Sequence, residues 1–121
     1  MSCAALAAIG LHLASMHSRP GFENINPGIY AINRCGWMAG AYRNSFDQPS
    51  LYVARLIDPP RAVWFVSAGL ITGYDRPLTP VIAVGAKARL TPNLTLRLTF
   101  VPEVGNLNNA AVAHLSLERR F

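Results

Sequence analysis

In the segments Leu94 to Phe100 and Ala111 to Arg120 the side chains alternate in polarity with a period of two, and this pattern restricts the fold more than any other feature of the chain. Leu94, Leu96, Leu98 and Phe100 fall on one face of a strand, with Thr95, Arg97 and Thr99 on the other. The last segment repeats the pattern, setting Ala111, Ala113, Leu115 and Leu117 against His114, Ser116, Glu118 and Arg120. No helical period competes with this elsewhere, so the class is all-β.

Breaker clusters divide the chain into eight such segments. The expected strands are Gly10 to His17, Gly28 to Asn33, Trp37 to Arg43, Ser50 to Ile57, Ala62 to Tyr74, Thr79 to Ala88, Asn93 to Val101 and Ala110 to Phe121. Connections after the odd-numbered strands are mostly longer and more polar; those after the even-numbered ones are short turns. In an up-and-down meander this places four loops at one end and both termini at the other, the asymmetry of bacterial outer-membrane barrels.

Alternation alone does not say which face is inside. A soluble sandwich buries its apolar face, whereas a membrane barrel turns it outward and fills the lumen with the polar set. Composition bears on the choice: charged residues make up 14% of the chain, about half the share usual in soluble domains. No apolar run reaches the roughly 18 residues of a membrane helix, so a membrane must be crossed by strands. Together with the terminal aromatic Phe121, this favours a single-domain, eight-stranded antiparallel barrel of outer-membrane type. In it Arg97 and Glu118 share the lumen and can pair, and there is room for side chains or one acyl-sized ligand.

Residues 1–9, M-S-C-A-A-L-A-A-I, read as a signal-peptide remnant or an N-terminal tail ahead of the barrel domain at 10–121. The n-region and a full h-region are missing, so the signal is incomplete in this chain. Cys3 and Cys35 both belong to the terminus end of the meander, where a disulfide is sterically possible if the tail is retained and exported. The net charge is +5 and ten of the eleven basic residues are arginine. They are scattered rather than clustered, which suits strand ends and turns facing lipid headgroups and argues against nucleic acid. His12, His17 and His114 have no carboxylate or cysteine partners at ligand spacing, so no metal and no cofactor are expected.

The stretch Gly40 to Ala54 carries the candidate chemistry. Its polar loop places the Ser45 hydroxyl beside the Asn44 amide and the Arg43 guanidinium at the mouth of the barrel, although Asn, Ser, Asp and Pro are also ordinary turn formers. Arg43 suits a lipid phosphate or a developing oxyanion. His12 lies five residues before His17, so their side chains point to opposite faces of one strand and only one faces the lumen. His114 and Ser116 read as lumen packing.

These residues fall in blocks that resemble, in order and spacing, the lipid A palmitoyltransferase (PagP-like) family of small outer-membrane barrels and related short barrel proteins of bacteria and their phages. F-E-N-I-N-P-G at 22–28 resembles the family's loop after strand one, and G-A-Y-R-N-S-F-D at 40–47 its Lys-Asp-Ser-Trp segment. P-L-T-P-V at 77–81 resembles its Pro-rich entry to strand six, and T-L-R-L-T-F-V-P-E-V-G-N-L-N-N at 95–109 is the nearest block. The resemblance implies an outer-membrane enzyme, reached after export, that moves an acyl chain from a phospholipid to lipid A. It implies a His, Asp and Ser group at the outer mouth and an acyl chain held inside. The Ser falls on Ser45 and the His on His12, with His17 as competitor. The Asp position holds Asn44, which cannot take a proton as a carboxylate does. Asp47 is the nearest carboxylate. The family's amphipathic helix ahead of strand one is absent from this sequence.

Three functions are therefore open: a lipid A acyltransferase with His12, Ser45 and Asn44 as its catalytic group and Arg43, His17 and Asp47 as substrate contacts; a barrel of the same shape without the chemistry; and a soluble or virion-associated β-protein.

Overall fold

Each alternating segment pairs with the one before it, and the last pairs with the first. The computed structural model describes residues 3, 5–17, 24–44, 47–73, 77–102 and 111–121. Eight antiparallel strands, β1 (Leu6–His17), β2 (Ile25–Asn33), β3 (Trp37–Arg43), β4 (Pro49–Ile57), β5 (Trp64–Ile71), β6 (Thr79–Thr91), β7 (Leu94–Val101) and β8 (Val112–Arg120), form a closed barrel in sequence order. Closure by β1 against β8 leaves no unpaired sheet edge. In this meander the connections after β2, β4 and β6 and both ends of the strand series lie at one end, and the connections after β1, β3, β5 and β7 at the other.

Strand boundaries differ from the expected ones in instructive places. β1 begins at Leu6 rather than Gly10, so residues 6–9 are paired with β2 and β8 and Ala8 is fully buried. β2 begins at Ile25, ahead of Pro27. The pairs with β3 start only at Gly28, so the missing proline N–H breaks no bond of that ladder. β5 is shorter than expected, and β6 runs on to Thr91 through a register shift between Arg89 and Thr91.

The apolar faces point outward. Leu98 is 50% exposed, Leu51 63% and Ile82 70%, while Arg97, Glu118, Thr95 and Ser116 on the alternate positions are buried. Three inward aromatic rings lie across glycines of adjacent strands: Tyr30 over Gly10, Tyr52 over Gly40 and Phe65 over Gly85. A Cβ at Gly10 would stand 2.0 Å from the Tyr30 ring, so Gly10 and Gly40 exclude a larger residue unless the ring moves, while at Gly85 the Leu98 carbonyl oxygen, 2.2 Å away, excludes one as well. Around them Ala8, Tyr30, Ile32, Leu56 and Phe65 form the apolar part of the interior.

Arg97 pairs with Glu118 across β7 and β8 through two bonds, Nε to Oε1 at 2.7 Å and Nη2 to Oε2 at 2.8 Å. Its Nη2 also reaches Asp58 Oδ2 at 2.6 Å, and Asp58 in turn holds Lys87. Arg120 bonds the same two carboxylates. Five charges thus meet inside the turn end and close it.

Cys3 and Cys35 are joined in a disulfide with their Cα atoms 5.0 Å apart. It fastens the segment ahead of β1 to the β2–β3 turn, where Gly36 takes a positive φ of 87°. Closing a loop across 32 residues stabilises the native state by about 3–4 kcal/mol in the chain-entropy account. Cys35→Ser is therefore expected to lower the unfolding free energy in urea by about that amount. Alkylation and mass mapping of the wild-type protein should find neither thiol free; two alkylated cysteines would remove this prediction at its root.

Candidate functional site

The interior holds a cavity of about 160 Å³, comparable to the 150 Å³ cavities that admit a benzene-sized molecule. One wall is polar and aromatic, with His12, Tyr42, Tyr52 and His114. The apolar lining of the cavity comes from β5 to β7, with Phe65, Ile71, Val81, Ala83 and Val101. Arg97 stands at the cavity on the turn side, its guanidinium 4.7 Å over the Phe65 ring. The charged cluster behind it forms the floor.

His12 is the centre of the polar wall. Its Nδ1 lies 2.8 Å from Nε2 of His114, and its Nε2 lies 2.7 Å from the Tyr52 hydroxyl. Whichever tautomer is present, Tyr52, His12 and His114 form one continuous hydrogen-bonded chain, through which a proton can pass. The rings of Tyr30, Tyr42 and Tyr52 stand 4.9, 5.1 and 5.6 Å from that of His12 and fix its orientation. Tyr30 donates to Glu118 Oε1 at 2.8 Å, which ties this wall to the charged floor.

A bulge sets the positions that follow His12. β1 shifts register between His12 and Ala14 against both of its neighbours, with the extra residue in β1 where it pairs with β8 and in β2 where it pairs with β1, and the alternation of β1 reverses beyond it. Ser15 therefore faces inward, donating to Asn26 Oδ1, although it stands an odd number of residues after His12. The expectation that only one of His12 and His17 faces the lumen concerns a residue, His17, that lies beyond this bulge. His17 pairs in register with Val112; its side chain lies outside the described residues.

The loop after β3 is held by Asn44. This residue is fully buried; its amide donates to Ser50 Oγ and to the Gly73 carbonyl, both at 2.8 Å, and its Oδ1 accepts from Gln48 N at 3.1 Å. An amide, which can donate and accept at once, suits this position in a way a carboxylate does not. Arg43 is exposed and forms a 3.2 Å ion pair with Asp47, which takes a positive φ of 60°. Asn26 donates to the Arg43 carbonyl at 3.1 Å and so ties β2 to this loop. Ser45 lies outside the described residues.

The structure thus brings together His12 with Tyr52 and His114, and separately Asn44 with Ser50 and Gly73. Tyr42 and Tyr52 join the site without being singled out by any sequence motif. Their signal was present, because both occupy the inward parity of β3 and β4, but only barrel closure carries them across the lumen to a histidine of β1. Among the described residues no group of three or more His, Cys, Asp or Glu is placed to hold a metal ion.

No protein-family model matches the sequence, and no curated protein matches it. A solved structure does: the solution NMR structure of the de novo designed TMB2.3 superposes with a TM-score of 0.64, covering 99% of this chain and 98% of that chain at 12% sequence identity. The chain is therefore an eight-stranded barrel resembling a designed membrane barrel.

Proposed function

We propose that this protein is an outer-membrane barrel that takes the acyl chain of a membrane lipid into its lumen and transfers it from a phospholipid to lipid A. The observation that carries the membrane part is the inverted polarity of the sheet. Apolar side chains cover the outside while arginine, glutamate, threonine and serine fill the inside, which is favourable only where the outer surface meets lipid. A disulfide at the turn end fits an exported chain in an oxidising compartment. The lipid part is supported by the cavity, whose apolar lining suits a hydrocarbon chain and whose polar wall offers a histidine in a proton-passing chain. The acyl-transfer reaction itself comes from the resemblance of residues 22–28, 40–47, 77–81 and 95–109 to the palmitoyltransferase family.

In this reading His12 is the general base, with Tyr52 and His114 holding its ring, Ser45 supplies the hydroxyl, and Arg43 and Asp47 face the headgroup. Export behind a full signal into a cell with underacylated lipid A should raise the mass of lipid A by one acyl chain. Both His12→Asn and Ser45→Ala should abolish the gain while the protein still migrates as a heat-modifiable barrel. An unchanged lipid A beside a heat-modifiable, membrane-inserted wild-type protein would leave the barrel without the reaction.

A further inference from the structure

The net charge of +5 is distributed very unevenly along the barrel. The segments that connect strands at the loop end, 18–24, 44–48, 72–78 and 102–111, together with Arg43, carry three arginines and four carboxylates. The other seven arginines and Lys87 lie on the strands and turns of the opposite half, against Asp58 and Glu118 alone. Those two acids point inward and hold Lys87, Arg97 and Arg120. What remains on the outside is cationic only.

Arg34 in the β2–β3 turn, Arg55 near the end of β4, Arg61 in the β4–β5 turn, Arg89 near the end of β6 and Arg119 near the end of β8 are all exposed. None has an ion-pair partner among the described residues. They stand around the rim rather than on one side of it, unlike the one-sided patch or stripe that meets nucleic acid. Trp37, Trp64 and Phe121 are exposed at the same end, at 51%, 49% and 64%. Arg55 lies 5.4 Å over the Trp37 ring and donates to the Cys35 carbonyl, so this guanidinium is held at the aromatic level.

We propose that the turn-end rim binds the phosphate groups of anionic phospholipids and so fixes which end of the barrel faces the anionic leaflet. The proposal rests on the membrane-spanning reading above and adds a ligand class and a site to it. Guanidinium forks bind phosphate oxygens through two parallel bonds. Tryptophan rings settle at the boundary between hydrocarbon and headgroups, which places the neighbouring arginines at phosphate depth. Each cation near an anionic membrane surface contributes about 1 kcal/mol, or roughly a fivefold bias in local lipid composition.

The chain contains two tryptophans, both on this rim, so intrinsic fluorescence reports on it alone. The protein is folded into vesicles of phosphatidylcholine and phosphatidylglycerol, with bromine carried first on one lipid and then on the other at equal mole fraction. Quenching by brominated phosphatidylglycerol should correspond to about fivefold local enrichment. The enrichment should fall in the Arg61→Gln, Arg89→Gln, Arg119→Gln triple variant, which keeps Arg34 and Arg55, and should approach unity for the wild type at 1 M salt, which needs no variant to fold. Equal quenching by the two lipids in heat-modifiable protein overturns the rim proposal and leaves the membrane barrel standing. Absence of quenching by either lipid overturns both together.

Discussion

Replacing Glu118 by leucine is expected to destabilise the barrel by about 3–5 kcal/mol. Arg97, only 2% exposed, would keep a single carboxylate partner in Asp58 and lose the two-pronged bond that neutralises it. Tyr30 would lose its nearer acceptor at the same time and keep only Ser116 Oγ at 3.5 Å. The double variant Arg97→Met, Glu118→Leu removes both charges and should recover most of the loss, because a buried pair replaced by apolar side chains of similar volume is often neutral or stabilising. Equilibrium unfolding in urea, read by the mobility of the folded band, measures both. A loss under about 1 kcal/mol for Glu118→Leu alone would mean that water solvates the lumen well enough to hold Arg97 unpaired.

The same cluster gives the barrel a defined acid response. Burial alone would raise the pKa of Asp58, but the hydrogen bonds from Arg97 and Lys87 outweigh it and hold this carboxyl below its ordinary value of 3.8. Its native pKa is lowered, so the stability it supplies is fully present above that value. It is lost as the pH falls through the lower native one.

Leu98→Arg is expected to cost about 2–4 kcal/mol when the protein is folded in a bilayer. Leu98 lies in the middle of β7 and points outward, where a soluble barrel would accept arginine within about 0.5 kcal/mol. Leu90→Arg supplies the internal comparison. Leu90 is 54% exposed and close to the turn-end limit of β6, where a cation in a membrane barrel costs about 0–1 kcal/mol. A steep difference between the two positions in vesicle unfolding supports lipid around the sheet. Two small and equal effects would favour a sheet surrounded by water or by other protein.

Much of this architecture was legible in the residues because it depends on local period and on turn chemistry. Leu94 to Phe100 and Ala111 to Arg120 declared their two faces without help, and the pairing of Arg97 with Glu118 followed once those faces were assigned to one lumen. That Cys3 and Cys35 belong to the same end of the meander was legible as well, which made a disulfide sterically possible; the bond itself is seen in the structure. The bulge after His12 was not legible. Leu13 continues the alternation Leu11-His12-Leu13, and nothing in its identity marks it as the extra residue against β8; the shift is decided by pairing to β2 and β8 at once. The role of Asn44 in the loop was hidden for a similar reason, since Gly73, which accepts from its amide, lies 29 residues away.

The sequence by itself determined an eight-stranded meander, the polarity of each strand face and the end at which termini and turns gather, because these depend on neighbours two residues apart and on breakers between strands. Only the tertiary structure decided what meets inside. Closure of β8 on β1 brings His114 to His12, and β4 carries Tyr52 to the same ring. Glu118, Arg97 and Asp58 likewise come from two strands and a turn to form one charged floor. Such contacts depend on register and closure around the whole sheet, quantities that no single stretch of residues contains.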